Sequence, residues 1–508
     1  MDPCVRWRVE TAAGVAATAR VRTVPATVGS PPTGGVSVRG IIATGCHVPH
    51  RRLDRADVAA FFGKGGGRGT RAVASFDEDT TSMGAEAARA AVASCREVAV
   101  DSLWFATASP AYLEKTNAAA IHAVLRLSSS VPALDFGGAH RSGIGAARAA
   151  LEAGPTTLVV ASDVRGGLAT SADEVGGGDA AAALLIGDDR SGSLIAEYVG
   201  GASITDEFLE RWRVPGAERS RTWEERFGEV AYAPLMEQAW IAALEATGLT
   251  NDAIDRLVVT GTHARAVSRN VRRLGVEADR LIDGLTDVVG QTGTAHPLLA
   301  LAAAIEGAEP GQTIALMALA DGVDVVIVRT TDAIAGYRPV RPIADQLVTG
   351  APIAYAQFLS WRGMVAVEPP NRPLPNRPSA SASHRRDDWK FGFVGSRDRA
   401  SGMLHLPPAR VSEKGGAVDD MDPVPMADVR GTVVSFTIDK LVYSPSPPVV
   451  FAVVDFDGGG RAPLELTDVD ADEVEVGMRV EPTFRRLFTA DEIHNYFWKV
   501  RPVREATT

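Results

Sequence analysis

The sequence holds only three cysteines, Cys4, Cys46 and Cys95, in 508 residues. So sparse and scattered a set builds no disulfide framework, and it points to a reducing compartment, the cytoplasm. No uninterrupted apolar run reaches the ~18 residues that a membrane-spanning helix needs, so no membrane association is expected. Aromatic residues amount to 6%, too few for an aromatic-rich β architecture. Positive charge is not in excess either: the net charge of −11 argues against a nucleic-acid partner, which requires a basic face. Arg51-Arg52, Lys64 to Arg71, Arg269 to Arg273 and Arg385-Arg386 are the local basic clusters, read as solvated surface or as contacts to a phosphorylated carrier. Residues 1–36 have no periodicity and no continuous apolar stretch of the kind a signal peptide needs, so they read as a flexible leader. Gly63 to Gly69 does not match a phosphate-binding loop, because its lysine precedes most of the glycines.

What the chain does contain is alternation. Val36 to Ala43 reads as a strand, and Thr80-Thr81-Ser82 caps a helix from about Met83 to Ser94. The apolar segment Val100 to Thr107 is echoed by Ile254 to Gly261, and Gly154 to Asp163 by Pro310 to Leu319. Each second echo continues into a further apolar strand, Ala180 to Ile186 and Val323 to Val328. Two copies of one α/β unit predict a pseudo-duplicated double domain over 37–335, with halves at about 37–200 and 201–335.

The texture then changes. Residues 336–388 form a connecting segment with a short helix, Ile343 to Leu347, and a proline-rich linker, Glu368 to Pro378. Beyond Trp389 the pattern is β-rich. Gly431 to Asp439, Val449 to Phe456, Arg461 to Leu466, Val474 to Phe484 and Asn495 to Val500 predict a small all-β OB-fold barrel over 428–508. Its many acids, among them Asp455, Asp457, Glu465 and Asp468, disfavour single-stranded nucleic acid.

The stretch that promises chemistry is Val131 to Gly145. An apolar strand ends in Gly137-Gly138, and His140 then stands on a tight turn before a helix rich in small residues. Such a turn points its apex side chain at free helical N–H groups, which stabilise developing negative charge. His263 and His296 also follow turns and are candidates for the same cleft, for acid–base work or as ordinary loop histidines. Cys46 beside His47 is a poor thiol–imidazole pair, since neighbours on extended chain point to opposite sides.

Taken together, Asp135-x4-His140-x2-Gly143, Gly178-Asp179-Ala180, Gly290-Gln291-Thr292-Gly293 and Asp321-Gly322-Val323-Asp324 resemble the thiolase superfamily. The resemblance is to the branch of 3-hydroxy-3-methylglutaryl-CoA synthase and β-ketoacyl-ACP synthase III, and it covers roughly 37–335. Residues 389–505 resemble the DUF35 module, a zinc ribbon (here 389–427) followed by an OB fold. The resemblance implies an acyltransferase, or an enzyme that makes or breaks C–C bonds, on acyl-CoA or acyl-carrier-protein thioesters, acting as a homodimer. It assigns the nucleophilic cysteine to His140, the catalytic histidine to Thr260 (with His263 three residues on), the asparagine to Gln291 and the general-base glutamate to Ala108. His140, His263 and Gln291 are therefore the catalytic candidates, with Tyr112, Ser142, Gly143, Thr260 and His296 as substrate-binding candidates. Tyr112 is of interest because cysteine-less relatives partnered by DUF35 proteins use tyrosines in retro-aldol chemistry. The four zinc positions fall on Asp398, Ser401, Ser412 and Gly415, none a thiolate source, so no metal and no cofactor beyond the thioester substrate is expected. An alternative stays open: a thiolase-shaped protein that no longer catalyses and instead binds acyl-CoA as a scaffold or regulator.

Overall fold

The computed structural model describes residues 37–368 and 370–504; the expected leader over 1–36 lies outside the described residues. The first strand runs Arg39–His47, later than the sequence suggests, and its burial is nearly continuous because both faces are covered by helices. It belongs to a nine-stranded sheet ordered 256–261, 313–319, 322–330, 196–205, 39–47, 180–188, 157–163, 102–107, 133–137. Strand Ser102–Thr107 pairs in parallel with Thr157–Asp163, as Arg256–Gly261 does with Thr313–Leu319. Each pair continues into an antiparallel partner, Ala180–Asp188 or Gly322–Thr330. The sequence echoes are thus the same strands of two copies of one unit. Strand Ala196–Thr205, next to the change of half expected at about 200, pairs with Gly322–Thr330 of the second copy. Among the described residues no helix is long and apolar enough to cross a membrane.

Helix Thr80–Ala93 starts from Asp79, one residue before the expected cap. The Asp79 carboxylate accepts from Ser82 N while Ser82 Oγ accepts from Asp79 N, a reciprocal box that satisfies two otherwise orphaned N–H groups. Its small residues, Ala85, Ala87, Ala88 and Ala91, let it lie close on the sheet: a Cβ on Gly45 would meet Ala87 O at 2.3 Å. Cys46 is fully buried in the core on the other face of the sheet, and His47 Nε2 lies 2.6 Å from Glu78 Oε1.

The connecting segment is more ordered than its proline content suggests. Helix Ile343–Val348 is followed by the short strand Ala351–Pro352, paired with Arg51–Asp54, and by helix Tyr355–Trp361. Tyr355, Phe358 and Leu359 share a core cluster with Leu53 and Val73. Further on, five strands close a barrel, Gly431–Asp439, Val449–Phe456, Arg461–Leu466, Ile493–Pro502 and Arg479–Ala490. The fourth expected strand begins at Arg479 instead of Val474, because a 3-10 turn at Ala471–Glu473 and Gly477 at φ 96° occupy the approach.

The barrel docks on the first domain through buried charge. Arg485, fully buried, faces Glu78 at 2.7 Å and Asp77 at 3.4 Å, as well as Asp468 of its own domain at 2.6 Å. Lys499 reaches Asp77 at 2.9 Å, Arg501 reaches Glu86 at 3.1 Å, and Tyr496 donates to Asp79 at 2.7 Å. Isolated buried charges of this kind cost several kcal/mol each, so the two faces fit only in each other's presence. Arg485, Lys499 and Arg501 of the barrel are therefore engaged with their own chain.

Candidate active site

The turn after strand Ala133–Gly137 is rigid for reasons spread over both halves. Asp135 caps the neighbouring helix by accepting from Asn117 N at 2.6 Å and Ala118 N at 2.8 Å. Gly138, at φ 92°, turns the chain into His140, the residue preceding helix Arg141–Glu152. Arg141 Nε and Arg148 Nη1 both donate to Asp324, at 2.7 and 2.8 Å, tying this helix to the second half. Gly143 seats it, since a Cβ there would lie 2.3 Å from Thr294 O. Gly143 is thus a packing position, and Ser142 donates its hydroxyl to Gly137 O at 3.3 Å.

His140 lines a cavity of about 450 Å³. Arg165 Nη1 sits 2.6 Å from its Nε2. A guanidinium only donates, so Nε2 is the acceptor and the ring hydrogen belongs on Nδ1. Burial, and then Arg165, Arg211 and Arg213, hold its pKa well below the ordinary histidine value. The imidazole is neutral.

Arg165 comes from the loop after strand Thr157–Asp163 and is fixed from several sides. Its N–H donates to Asp179 at 2.8 Å, its carbonyl accepts from Arg71 at 3.0 Å, and its Nη2 donates to Asp173 at 3.2 Å. Arg211 donates to the other oxygen of Asp173 at 2.5 Å. Asp163, fully buried, accepts from Thr107 Oγ1 at 2.9 Å, Ala108 N at 2.8 Å and Thr294 N at 2.7 Å. One carboxylate thereby holds the loop carrying Ala108 and the glycine turn of the second half against each other.

A second cavity, of about 1000 Å³, meets the first along Arg165, Glu210, Arg211 and Thr262. Leu257, Val259, Val267, Leu281 and Ile282 give it an apolar wall, and Arg55, Arg265 and Arg269 add positive charge. Thr260 lines it, with its hydroxyl 3.5 Å from Met317 O. Gln291 lines it too, and its Oε1 accepts from Gly293 N at 2.7 Å. His263 also borders this cavity, but both ring nitrogens are engaged: Nδ1 accepts from Ala266 N at 3.0 Å and Nε2 donates to Glu225 O at 2.8 Å. It is the cap of helix Ala264–Asn270, and that use of the ring leaves no nitrogen for a substrate. His296, the first residue of helix His296–Glu306, is buried and lines neither cavity, with Nδ1 on Thr292; burial brings its pKa down to about 4. Tyr112 is placed elsewhere: its hydroxyl accepts from His494 N at 2.8 Å and its ring lies 5.0 Å from the His494 ring, so it holds the barrel.

Glu210 is a residue the sequence reading missed. It is 8% exposed, lines both cavities, and its carboxylate forms no hydrogen bond or ion pair among the described residues. Burial raises its pKa, against the pull of His263 and Arg211. It stands between Thr205 and Glu225, beside the two-residue strand Arg211–Trp212, in a stretch that has no hydrophobic period.

The ribbon over 389–427 pairs Val394–Asp398 with Leu404–His405 and Met421–Pro425. Three of the four positions that would hold metal are bonded to one another. Asp398 Oδ2 accepts from Ser412 Oγ at 2.6 Å and from Ser401 Oγ, and the fourth position, Gly415, has no side chain. This donor set does not fit a tetrahedral zinc ion, which requires four ligating side chains of thiolate or imidazole type. Among the described residues no group of three or more His, Cys, Asp and Glu is arranged to hold a metal ion.

Comparison with known proteins agrees with this architecture. Residues 244–329 match the family described as 3-oxoacyl-[acyl-carrier-protein] synthase III, C terminal, and residues 423–485 the one described as ChsH2, C-terminal OB-fold domain. A hydroxymethylglutaryl-CoA synthase of Aeropyrum pernix is 28% identical over 352 residues, which cover 65% of this chain and 96% of that protein. Among solved structures, MvaS in complex with 3-hydroxy-3-methylglutaryl coenzyme A superposes with a TM-score of 0.53 at 19% identity, covering 68% of this chain and 94% of that one. An HMG-CoA synthase complexed with CoA gives 0.52 at 16% identity, covering 63% and 89%. The chain has a thiolase-like double α/β fold followed by an OB-fold barrel, and it is similar in sequence to hydroxymethylglutaryl-CoA synthases and to the C-terminal part of ketoacyl-ACP synthase III.

Proposed function

We propose that this chain acts on acyl-CoA or acyl-carrier thioesters, transferring an acyl group or making or breaking a C–C bond beside the thioester carbonyl without a cysteine acyl-enzyme. The observation that carries this reading is the Arg165–His140 contact inside a cavity continuous with a larger, partly apolar one. The named relatives, and the neighbours solved with CoA and its hydroxymethylglutaryl ester, support the substrate class.

His140 is the residue at the position of the family's nucleophile. With Nε2 occupied by Arg165 it does not attack a carbonyl, so no labile acyl-imidazole forms. Its Nδ1–H, on a neutral ring backed by a cation, polarises the thioester oxygen and stabilises the oxyanion or enolate that develops there. Glu210, buried and unpaired between the cavities, moves the proton. Gln291 contributes an amide donor, and the larger cavity takes the pantetheine arm, with Arg55, Arg265 and Arg269 toward the phosphates.

The same reading assigns a homodimer. Strand Ala133–Gly137 ends the sheet, its outer edge is unpaired among the described residues, and Leu134 on it is 48% exposed. It also assigns a ribbon without structural metal. A second reading, acyl-CoA binding without turnover, is favoured by the changes at His140, Thr260, Gln291 and Ala108. Incubation with acetyl-, malonyl- and longer acyl-CoAs, with free CoA and product masses followed, separates the two. Turnover lost in His140→Ala and Glu210→Gln supports catalysis; binding of CoA esters with no turnover in the native protein supports the regulator.

A further inference from the structure

One wall of the His140 cavity is loop 108–117, which supplies Ala108, Ser109, Pro110 and Leu113. Leu113 lines the cavity and is 82% exposed, so it stands at the mouth. Both ends of the loop are fixed within the first domain. At the start, Ala108 N donates to Asp163 at 2.8 Å, and Thr80 Oγ1 donates to Ser109 O at 2.9 Å. At the end, the buried side chain of Asn117 closes the loop on itself, accepting from Tyr112 N at 3.0 Å and donating to Tyr112 O at 2.9 Å. The same amide donates to Asp135 at 3.0 Å, on the strand that leads to His140.

The middle of the loop is held from the other domain. Residues 113–116 are exposed and gain little from packing. Tyr112, just before them, accepts from His494 N at 2.8 Å through its hydroxyl, and the two rings lie 5.0 Å apart. His494 belongs to the barrel's hairpin of Arg479–Ala490 and Ile493–Pro502. Its turn residues, Asp491 and Glu492, take φ of 48° and 61°, the tight two-residue form whose twist matches that of the strands. Thr489 and His494 face each other across this hairpin, with Oγ1 2.7 Å from Nδ1, which fixes the ring. The hairpin is itself seated on the first domain, since Arg486 N donates to Asp77 O at 2.9 Å and Tyr496 donates to Asp79 at 2.7 Å. We infer that the barrel's hairpin 489–494 sets the width of the His140 cavity through Tyr112. Tyr112 and His494 are then positioning residues: neither lines the cavity, and both act through the loop that does. The OB-fold domain thereby shapes the site. The inference rests on the preceding reading for the cavity's use, but the width itself can be read without a substrate.

The test uses the full chain carrying His140→Cys. The thiol at position 140 is labelled by iodoacetamide and by the bulkier N-phenylmaleimide, each rate being read from the mass of the peptide that holds that position. Adding Tyr112→Phe, which removes the acceptor for His494 N, should speed labelling by N-phenylmaleimide about fivefold, the change in a local opening equilibrium that one lost hydrogen bond gives. Iodoacetamide, small enough to enter without that opening, should stay within about twofold. Tyr112→Ala, which also removes the ring, should exceed Tyr112→Phe with the larger reagent. An equal change in the two rates, or no change in either, overturns the inference. Faster amide exchange over 479–502 in Tyr112→Phe also overturns it, because Tyr112 would then serve docking alone; Arg485, Lys499 and Arg501 should keep that interface protected. The labelling is independent of turnover. If no acyl-CoA reacts with the native protein, the proposed function fails, and the two labelling rates still decide whether the hairpin sets the width.

Discussion

Two places in this chain stand where the family resemblance expects cysteine, and they have been filled in opposite ways. In the ribbon, Asp398, Ser401 and Ser412 bond to one another, Ser412 Oγ also donates to Lys414 O, and Ala400 N donates to Asp398. The polar groups there satisfy each other and the site is closed. At the strand–helix turn, where the resemblance expects a thiol, His140 presents a ring held by one arginine, beside a cavity where Glu210, Arg211 and Arg213 keep unused hydrogen-bonding capacity. A buried polar network that is complete serves structure, whereas one left incomplete around a cavity is the mark of a ligand site. The difference is between a closed polar cluster and an open cavity wall.

The largest expected effect breaks the open side of this comparison. If His140 supplies the oxyanion donor, His140→Ala lowers kcat/KM by about a hundredfold or more. Tm should change little, because the ring's one described hydrogen bond is to Arg165. A large fall in Tm with unchanged kcat/KM on thioesters would make the turn structural, like the ribbon. Glu210→Gln sharpens the same point: it should remove a limb of the pH–rate profile while leaving the Kd of the ester within a few fold.

Next is a variant that places at the turn the residue the resemblance expects. His140→Cys places a thiol among Arg165, Arg211 and Arg213, and nearby cations favour the thiolate. Its alkylation by iodoacetamide near pH 7 should exceed that of Cys46 by tenfold or more. Burial pushes the Cys46 thiol well up, and the residue is fully enclosed. Labelling of both at one slow rate would show that the three guanidinium groups do not act on the turn.

How legible this was differs between fold and site. The duplicated sheet could be read because buried strands such as Thr157–Asp163 and Thr313–Leu319 are continuous apolar runs that repeat in order. The His140 turn could be read because a strand, two glycines and a helix of small residues make a local pattern. Arg165, Arg211 and Glu210 could not, since they come from loops and a two-residue strand without a hydrophobic period and meet only in the fold. His263 and Tyr112 show the converse. A histidine after a strand looks catalytic until its ring is found capping its own helix, and a tyrosine near the cleft looks functional until a docked barrel takes its hydroxyl. The ribbon positions were readable in order, but that Asp398 would bind the two serines depended on the register of the turns.

On the closed side, Asp398→Ala leaves two serine hydroxyls without their acceptor. Amide exchange over 394–425 should quicken, while thioester turnover in the other domain stays within about twofold, as expected of a distant site. Asp398→Asn keeps an acceptor and should fall between Asp398→Ala and the native chain. Stoichiometric zinc in the purified native protein would overturn the metal-free ribbon.

The smallest effects are in pH, and there both regions lose stability toward acid but in different windows. The Ser401 and Ser412 hydroxyls hold the Asp398 carboxyl down at about 2, below its unfolded value near 3.9. A depressed carboxyl stabilises the fold above the unfolded pKa, and that contribution is lost as pH falls from about 4 toward 2. His140 is also depressed, but its charged form is the protonated one. Below about 6.5 the unfolded chain takes up a proton that the folded ring refuses, so stability falls as pH drops through that value. Amide protection, corrected for the intrinsic exchange rate at each pH, should therefore fall around 137–145 between pH 7 and 5, before it falls around 394–412, and His140→Ala should flatten the first step and leave the second. A first step unchanged in that variant would mean that the ring is not held neutral by its three arginines, and that the turn is no more open than the ribbon.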